Sequence, residues 1–236
     1  MAVSIKSARE IELMREAGKR LAHVHQELEA MIAPGISTWE IDAKGEKLIR
    51  DCGCIPNFLH YNGYPASICV SVNDEVVHGI PRKDRYLKEG DIVSLDAGLI
   101  YKGYHSDAAR THAVGKVSTE AQKLMDVTKQ SFFEGIKMAK EGQHLHDISR
   151  AIEEYVTPYG YGIVRDLVGH GIGTALHEDP QIPNYAQKRR GVRLQAGMTL
   201  AIEPMINAGT WQVRFLRDGW TVVTKDGSLS AHYENT

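Results

Sequence analysis

Two aspartates in the middle of the chain are the first residues whose types and spacing could do chemistry. Asp96 and Asp107 lie in the run Asp91-Ile-Val-Ser-Leu-Asp-Ala-Gly-Leu-Ile-Tyr-Lys-Gly-Tyr-His-Ser-Asp107, whose pattern predicts a hairpin turning at Lys102-Gly103. A two-residue turn pairs Tyr101 with Tyr104, and therefore Gly98 with Asp107. Asp96 and Asp107 then become diagonal neighbours on one face, with backbones roughly 7–8 Å apart. Carboxylates inside an apolar strand pair are costly if buried and unpaired. A bound cation removes that cost, and so does a face left open to water.

Three further residues extend the set. His170 stands in Gly169-His-Gly-Ile-Gly173, where glycines on both sides allow a tight turn that presents the imidazole at close range. Taken alone, such a histidine also reads as a hydrogen-bonded loop residue. Glu203, in Leu200-Ala-Ile-Glu-Pro204, ends an apolar strand where a carboxylate needs a reason, and Glu234, in Ser230-Ala-His-Tyr-Glu234, sits on another strand-like segment. One histidine among four carboxylates is an oxygen-rich donor set suited to hard or borderline divalent ions. Bridging carboxylates favour two of them about 3.5–4 Å apart. The donors alone leave a phosphatase, a nuclease and a peptidase open. The chain has no phosphate loop of the Gly-x-x-x-x-Gly-Lys type and no serine or cysteine in a nucleophile elbow.

The elements that must hold these residues repeat. Met31, Gly35, Ile41 and Gly53 match Met138, Gly142, Ile148 and Gly160, each pair 107 positions apart (138 minus 31). At the same offset Leu87-Lys-Glu-Gly-Asp-Ile-Val-Ser-Leu-Asp96 aligns with Leu194-Gln-Ala-Gly-Met-Thr-Leu-Ala-Ile-Glu203, which makes Glu203 the counterpart of Asp96. Such self-similarity predicts two related units, about 8–114 and 115–236, sharing one core within a single domain of residues 1–236. Each reads as helix, loop, helix, then strands. Ile11, Met14, Leu21, Val24, Leu28 and Met31 recur near helical spacing over Ala8 to Met31, which Pro34-Gly35 closes. Ser37-Thr-Trp-Glu40 is a capping box for the next helix. Glu120 to Lys140 and Leu145 to Thr157 repeat the plan. Ser67–Val72, Asp91–Leu99, His105–Val114, Thr199–Ile206 and Trp220–Thr224 are strand-like. The combination predicts an α+β domain, a curved and mostly antiparallel sheet with helices on one face.

Composition narrows the class. Of the 236 residues 42% are hydrophobic and 25% charged, enough to build a core without staples. With 28 basic against 30 acidic side chains, charge gives no reason to expect a nucleic-acid or membrane partner. Cys52, Cys54 and Cys69 are an odd set without secretory context, so they are expected as reduced thiols. No signal peptide or membrane span is visible, and a cytoplasmic protein is expected.

The order Asp96, Asp107, His170, Glu203, Glu234 resembles the five metal ligands of the pita-bread metallopeptidases. Within them the chain is similar to the type I methionine aminopeptidases from about Ile5 onward. The similarity is carried by Tyr61-Asn-Gly-Tyr-Pro, Cys69-Val-Ser-Val-Asn, Val77-His-Gly-Ile-Pro, Gly169-His-Gly-Ile-Gly, Leu176-His-Glu, Ala201-Ile-Glu-Pro-Met and Asp218-Gly-Trp.

The resemblance implies a pita-bread fold with two pseudo-twofold-related helix pairs, and two divalent ions of the Co, Mn, Fe or Zn kind. It implies that Asp96 chelates one ion, that Asp107 and Glu234 bridge both, and that His170 and Glu203 complete the other. A metal-bridging water then attacks the first peptide bond of a substrate whose second residue is small. Glu203 is implied as proton carrier, His177 as the group steadying the oxyanion, and His78 as a contact to the peptide nitrogen. Tyr61, Tyr64, Cys69 and Trp220 are implied to line a methionine pocket, with Phe58 and Leu176 as further wall. Aromatic edges and a thiol suit a thioether. The implied partners are nascent polypeptide N-termini, met at or near the ribosome by a monomeric enzyme.

Two residues depart from the pattern. Asn62 and Asn235 stand where many relatives carry histidine, and about one more strand is expected past Thr236, whose loss would loosen the hold on Glu234. Two rivals share the fold. A proline-specific peptidase is expected to carry a large extra N-terminal domain, and a non-enzymatic binding protein to have lost ligands and gained basic tails.

Overall fold

Serine three residues ahead of glutamate starts both helices of the first half. In the computed structural model, which describes residues 3–236, helix α1 spans Ala8–Glu29. Its Glu10 carboxylate accepts the Ser7 backbone N–H at 2.7 Å. Helix α2 spans Thr38–Asp51, and Glu40 does the same for Ser37 at 2.8 Å. Each cap satisfies N–H groups that a helix start leaves orphaned. α1 ends before Pro34-Gly35, and its stripe of Met14, Ala17, Leu21, Val24 and Leu28 is buried.

The strands that follow are β1 (Ile55–Pro56), β2 (Ile68–Val72), β3 (Glu75–Val77), β4 (Ile92–Tyr101) and β5 (Tyr104–Ala113). Helices α3 (Thr119–Ile136) and α4 (Leu145–Val156) come next. The remaining strands are β6 (Gly162–Ile163), β7 (Gly169–Gly171), β8 (Glu178–Ile182), β9 (Leu200–Ala201), β10 (Met205–Asn207), β11 (Val213–Phe215), β12 (Val222–Thr224), β13 (Ser230–His232) and β14 (Glu234–Asn235). All pairings are antiparallel. One path runs β1-β4-β5-β14 with β2 also on β4, and three-stranded pieces are ordered β13-β10-β6, β11-β12-β3 and β8-β7-β9. α1 and α2 pack on β2, β4 and β5, while α3 and α4 pack on each other, on β10 and β13, and on β8. The apolar core divides accordingly, one cluster around Leu21, Ile68 and Leu95 and another around Leu124, Ile148 and Ile206.

The 107-residue offset reappears in three dimensions. α2 starts at Thr38 and α4 at Leu145, and β1 starts at Ile55 and β6 at Gly162. Gly35 and Gly142 have φ of 92° and 89°, a left-handed conformation that glycine adopts without steric cost. Gly35 donates to the Leu87 carbonyl at 2.8 Å and Gly142 to the Leu194 carbonyl at 3.0 Å. The isolated bridges Ser37–Tyr86 and His144–Arg193 repeat the relation once more.

Two details differ from the sequence expectation. The strand expected over Thr199–Ile206 is split, because Ile202 leaves the ladder to exchange hydrogen bonds with Asn235 at 3.1 and 3.3 Å and Pro204 has no N–H to donate. Gly169 and Gly171 do not form a turn. Both lie in extended strand β7, where a Cβ on Gly169 would collide with the Ala201 carbonyl and one on Gly171 with the Asp179 carbonyl. Those glycines let neighbouring backbones close in on either side of His170. No helix among the described residues is long and apolar enough to cross a membrane.

Candidate metal centre

The hairpin has the register its turn dictates. Tyr101 pairs with Tyr104 and Gly98 with Asp107, and Lys102 and Gly103 both have positive φ, as a tight two-residue turn needs. Cys69 faces Asp96, Asp96 faces Ala109, and Ala109 faces Glu234. These four residues form one row across β2, β4, β5 and β14. Directly paired residues share a face of an antiparallel sheet, so both acids project to the same side. Between them stands only the small side chain of Ala109, and Asp107 joins them from the next rung.

β14 is held on both sides. Beyond its pairing with β5 and the bridge to Ile202, Thr236 donates its N–H to the Asp107 carbonyl at 3.0 Å and its hydroxyl receives the Asp107 N–H at 2.9 Å. The Arg110 guanidinium donates to the Glu234 carbonyl and, at 2.5 Å, to Oδ1 of Asn235. Glu234 is 2% exposed. The Asn235 that replaces an expected histidine thus faces Arg110.

The second half supplies His170 and Glu203. His170 pairs with Ala201 in β9, and its Nδ1 lies 2.8 Å from the Gly171 carbonyl. A ring that donates from Nδ1 keeps the lone pair of Nε2 free for a cation. That Nε2 is 3.6 Å from Oε1 of Glu203. Glu203 sits at the break between β9 and β10, its carbonyl accepting from the Asn184 amide at 3.0 Å.

Four carboxyl groups in this space cannot all ionise without a compensating charge. Burial, and then the proximity of Asp107 and Glu203, push Asp96 well above the usual carboxylate range. Burial and the same neighbours raise Glu234, and burial with Asp107 raises Glu203. Burial also raises Asp107. Oδ1 of Asp96, Oδ1 of Asp107 and Oε1 of Glu234 are buried without a hydrogen-bond partner among the described residues. Orphaned acceptors of this kind, clustered with a neutral imidazole, are what a divalent cation satisfies. Among the described residues, ligand atoms of Asp107, His170 and Glu234 lie within 4.8 Å of one another, as do those of Glu203, His232 and Glu234. The residues present therefore fit metal ions.

The acids form the floor of a cavity of about 240 Å³. All the residues singled out from the sequence line it: Asp96, Asp107, His170, Glu203 and Glu234, the histidines His78 and His177, and the wall of Phe58, Tyr61, Tyr64, Cys69, Leu176 and Trp220. Burial and the nearby His177 hold His78 and His170 down at about 4, and burial lowers His177, so all three rings are neutral at pH 7. The ring centroids of His170 and His177 are 4.2 Å apart. Tyr64 meets Trp220 edge-on at 5.1 Å and hydrogen-bonds the Gly79 carbonyl at 2.9 Å. His78 has φ of 59°, a strained conformation for a non-glycine residue. Gly79 beside it has no room for a Cβ against the Val70 backbone.

Sequence reasoning did not single out Val77, Leu167, Val168, Met205 and His232, which also line the cavity. His232 carried a usable signal, since it lies two residues before Glu234 on a strand-like segment and so on the same side.

Residues 12–236 match metallopeptidase family M24. The chain is 54% identical over 234 residues to a methionine aminopeptidase of Clostridium acetobutylicum, covering 99% of this chain and 94% of that one. It is 52% identical to methionine aminopeptidase 1 of Bacillus subtilis, covering 98% and 93%. Among solved structures, a methionine aminopeptidase from Thermotoga maritima superposes with a TM-score of 0.96 at 46% identity, covering 99% of this chain and 94% of that one.

Proposed function

Because this chain belongs to metallopeptidase family M24, we infer that it is a methionyl aminopeptidase, removing N-terminal methionine from polypeptides whose second residue is small. The observation that carries this reading is the convergence of buried Asp96, Asp107, His170 and Glu234 with half-buried Glu203, drawn from both halves of the chain, in a cavity walled by aromatic rings and a thiol. Support comes also from relatives of about half-identical sequence that bear the same name over nearly their whole length.

Asp96, Asp107, His170, Glu203 and Glu234 would hold two divalent ions of the Co, Mn, Fe or Zn kind. Such ions acidify water and polarise a carbonyl oxygen. The chain's own residues do the rest. The methionine side chain packs among Tyr61, Tyr64, Cys69 and Trp220, with Phe58 and Leu176 behind, where sulfur meets ring edges. His78 receives the peptide nitrogen, and His177 donates to the carbonyl oxygen as negative charge develops there. Glu203 carries the proton from attacking water to leaving amine.

The same reading makes nascent polypeptide N-termini, at or near the ribosome, the substrate of a monomeric cytoplasmic enzyme. It also treats residues 1–236 as one domain built by duplication of about 8–114 and 115–236. Hydrolysis of Met-Ala-Ser by metal-free protein supplied with single divalent metals tests the function. Release of methionine is expected, and cleavage of an X-Pro dipeptide in its place would overturn the reading.

A further inference from the structure

A sixth side chain faces the acids of the metal centre. His232 closes β13 and is 1% exposed. Its Nε2 is 3.9 Å from Oε2 of Glu203 and 3.9 Å from Oε2 of Glu234. Neither ring nitrogen has a hydrogen-bond partner among the described residues. Leaving such a group unsatisfied costs about 1–3 kcal/mol, so a buried imidazole pointing at two carboxylates asks for a task.

The backbone sets its aim. The His232 N–H donates to Oγ1 of Thr111 at 2.8 Å, and the Thr111 hydroxyl donates to the His232 carbonyl at 2.9 Å. Met205 is its partner on the other strand. His232 also lines a second cavity of about 430 Å³ with His25, Arg110 and His112, and so borders both that space and the candidate metal cavity. On the other side of Glu234, Asn235 is engaged with Arg110. The imidazole that reaches Glu203 and Glu234 from the C-terminal segment is therefore His232, not a residue at 235.

We propose that His232 is a positioning residue of the metal centre, its ring N–H holding the carboxylates of Glu203 and Glu234 in the orientation in which they would bind ions. This rests on the metal-centre reading above. A gap of 3.9 Å is too long for a hydrogen bond, and a shift of about 1 Å in either carboxylate closes it. Outer partners of ligating groups fix the orientation of those groups.

Calorimetric titration of metal-free protein with Mn(II), and absorption spectra with Co(II), test the assignment without an activity assay. His232→Ala is expected to weaken ion binding roughly 10–100-fold and to alter the Co(II) bands. His232→Leu keeps the bulk without a donor and should bind as weakly as the alanine variant. His232→Gln, whose amide can donate from a similar place, should recover most of the affinity. Wild-type affinity in both His232→Ala and His232→Leu would overturn the proposal, and so would a glutamine variant as weak as alanine, which would make the imidazole a direct ligand. Absence of ion binding by the wild-type protein would remove the metal centre itself. Normal wild-type binding with unaffected variants removes the role of His232 alone.

Discussion

The phenol oxygen of Tyr61 lies 2.8 Å from Nδ1 of His177, across 116 residues of chain. Burial raises the Tyr61 phenol above its ordinary value, so it keeps its proton and can donate to Nδ1. A neutral ring that accepts at Nδ1 carries its proton on Nε2. That tautomer is the one able to donate into the cavity.

His177→Ala should therefore lower kcat by about 10²–10³, with metal content unchanged and KM little affected. Tyr61→Phe removes only the bond that selects the tautomer, a loss of ~1 kcal/mol or about fivefold in kcat. Steady-state kinetics on Met-Ala-Ser decide the matter. Full turnover by His177→Ala would return that histidine to a structural part, and unchanged kinetics for Tyr61→Phe would dismiss the tautomer argument.

Asp107→Ala should abolish metal binding and activity together. Asp107 reaches the cavity from the rung next to the row that holds Asp96 and Glu234, and the reading above gives it both ions. Its loss leaves the remaining acids facing one another without the shared cations. Metal analysis after dialysis is the measurement. A variant that retains stoichiometric metal contradicts the bridging role.

The hairpin could be read from sequence because a two-residue turn fixes register, and register fixes which face each side chain takes. α2 could be read because Ser37 and Glu40 supply a local cap. The division of the strand at Glu203 could not, since it depends on Ile202 meeting Asn235 from the far end of the chain. The glycines around His170 permit a turn and a close strand approach equally well, and only the neighbours at Ala201 and Asp179 decide between them. The contact of Tyr61 with His177, and the approach of His232 to Glu203, are likewise long-range relations that no local pattern encodes.

Metal-free protein should lose stability as pH rises from about 6.5 to 8. Asp96, Glu203 and Glu234 have folded pKa values well above the carboxylate range. The folded state thus holds protons that the unfolded chain has released above about pH 4–5. Stability falls with pH wherever the native state binds more protons. The buried histidines act in the opposite sense. Burial brings His25 and His232 to about 3 and His78 and His170 to about 4, so their contribution is mostly in place by about pH 6.5 and is lost as pH falls below it. Above that point the acids set most of the slope. Chemical denaturation with and without a divalent ion measures it, the ion restoring more stability at higher pH. A metal-free protein equally stable at pH 6.5 and 8 would show that these carboxyl groups ionise freely.

Lys6 should prove necessary for both stability and turnover, although it is remote from the sequence motifs of the site. Its Nζ lies 2.5 Å from Oε2 of Glu178, with the two side chains 4% and 14% exposed. The lysine stem packs against Gly173, and the Lys6 N–H donates to the Gly197 carbonyl at 2.8 Å. Glu178 in turn receives the Ala175 N–H at 3.2 Å, so Lys6 braces the segment that carries His177. Burial alone would raise Glu178, but the bond to Lys6 and the backbone N–H groups outweigh it and hold the carboxyl below its usual value. Lys6→Met strands that carboxylate. Removing one partner of a buried pair costs about 3–5 kcal/mol, and less here because Glu178 keeps some contact with water. A loss of about 2–3 kcal/mol corresponds to roughly 5–10 °C in Tm for a chain of this size. The loosened His177 should also lower kcat more than it raises KM, while Lys6→Arg, which keeps the charge, should recover part of both. A methionine variant with wild-type Tm and kcat would show that the pair braces nothing.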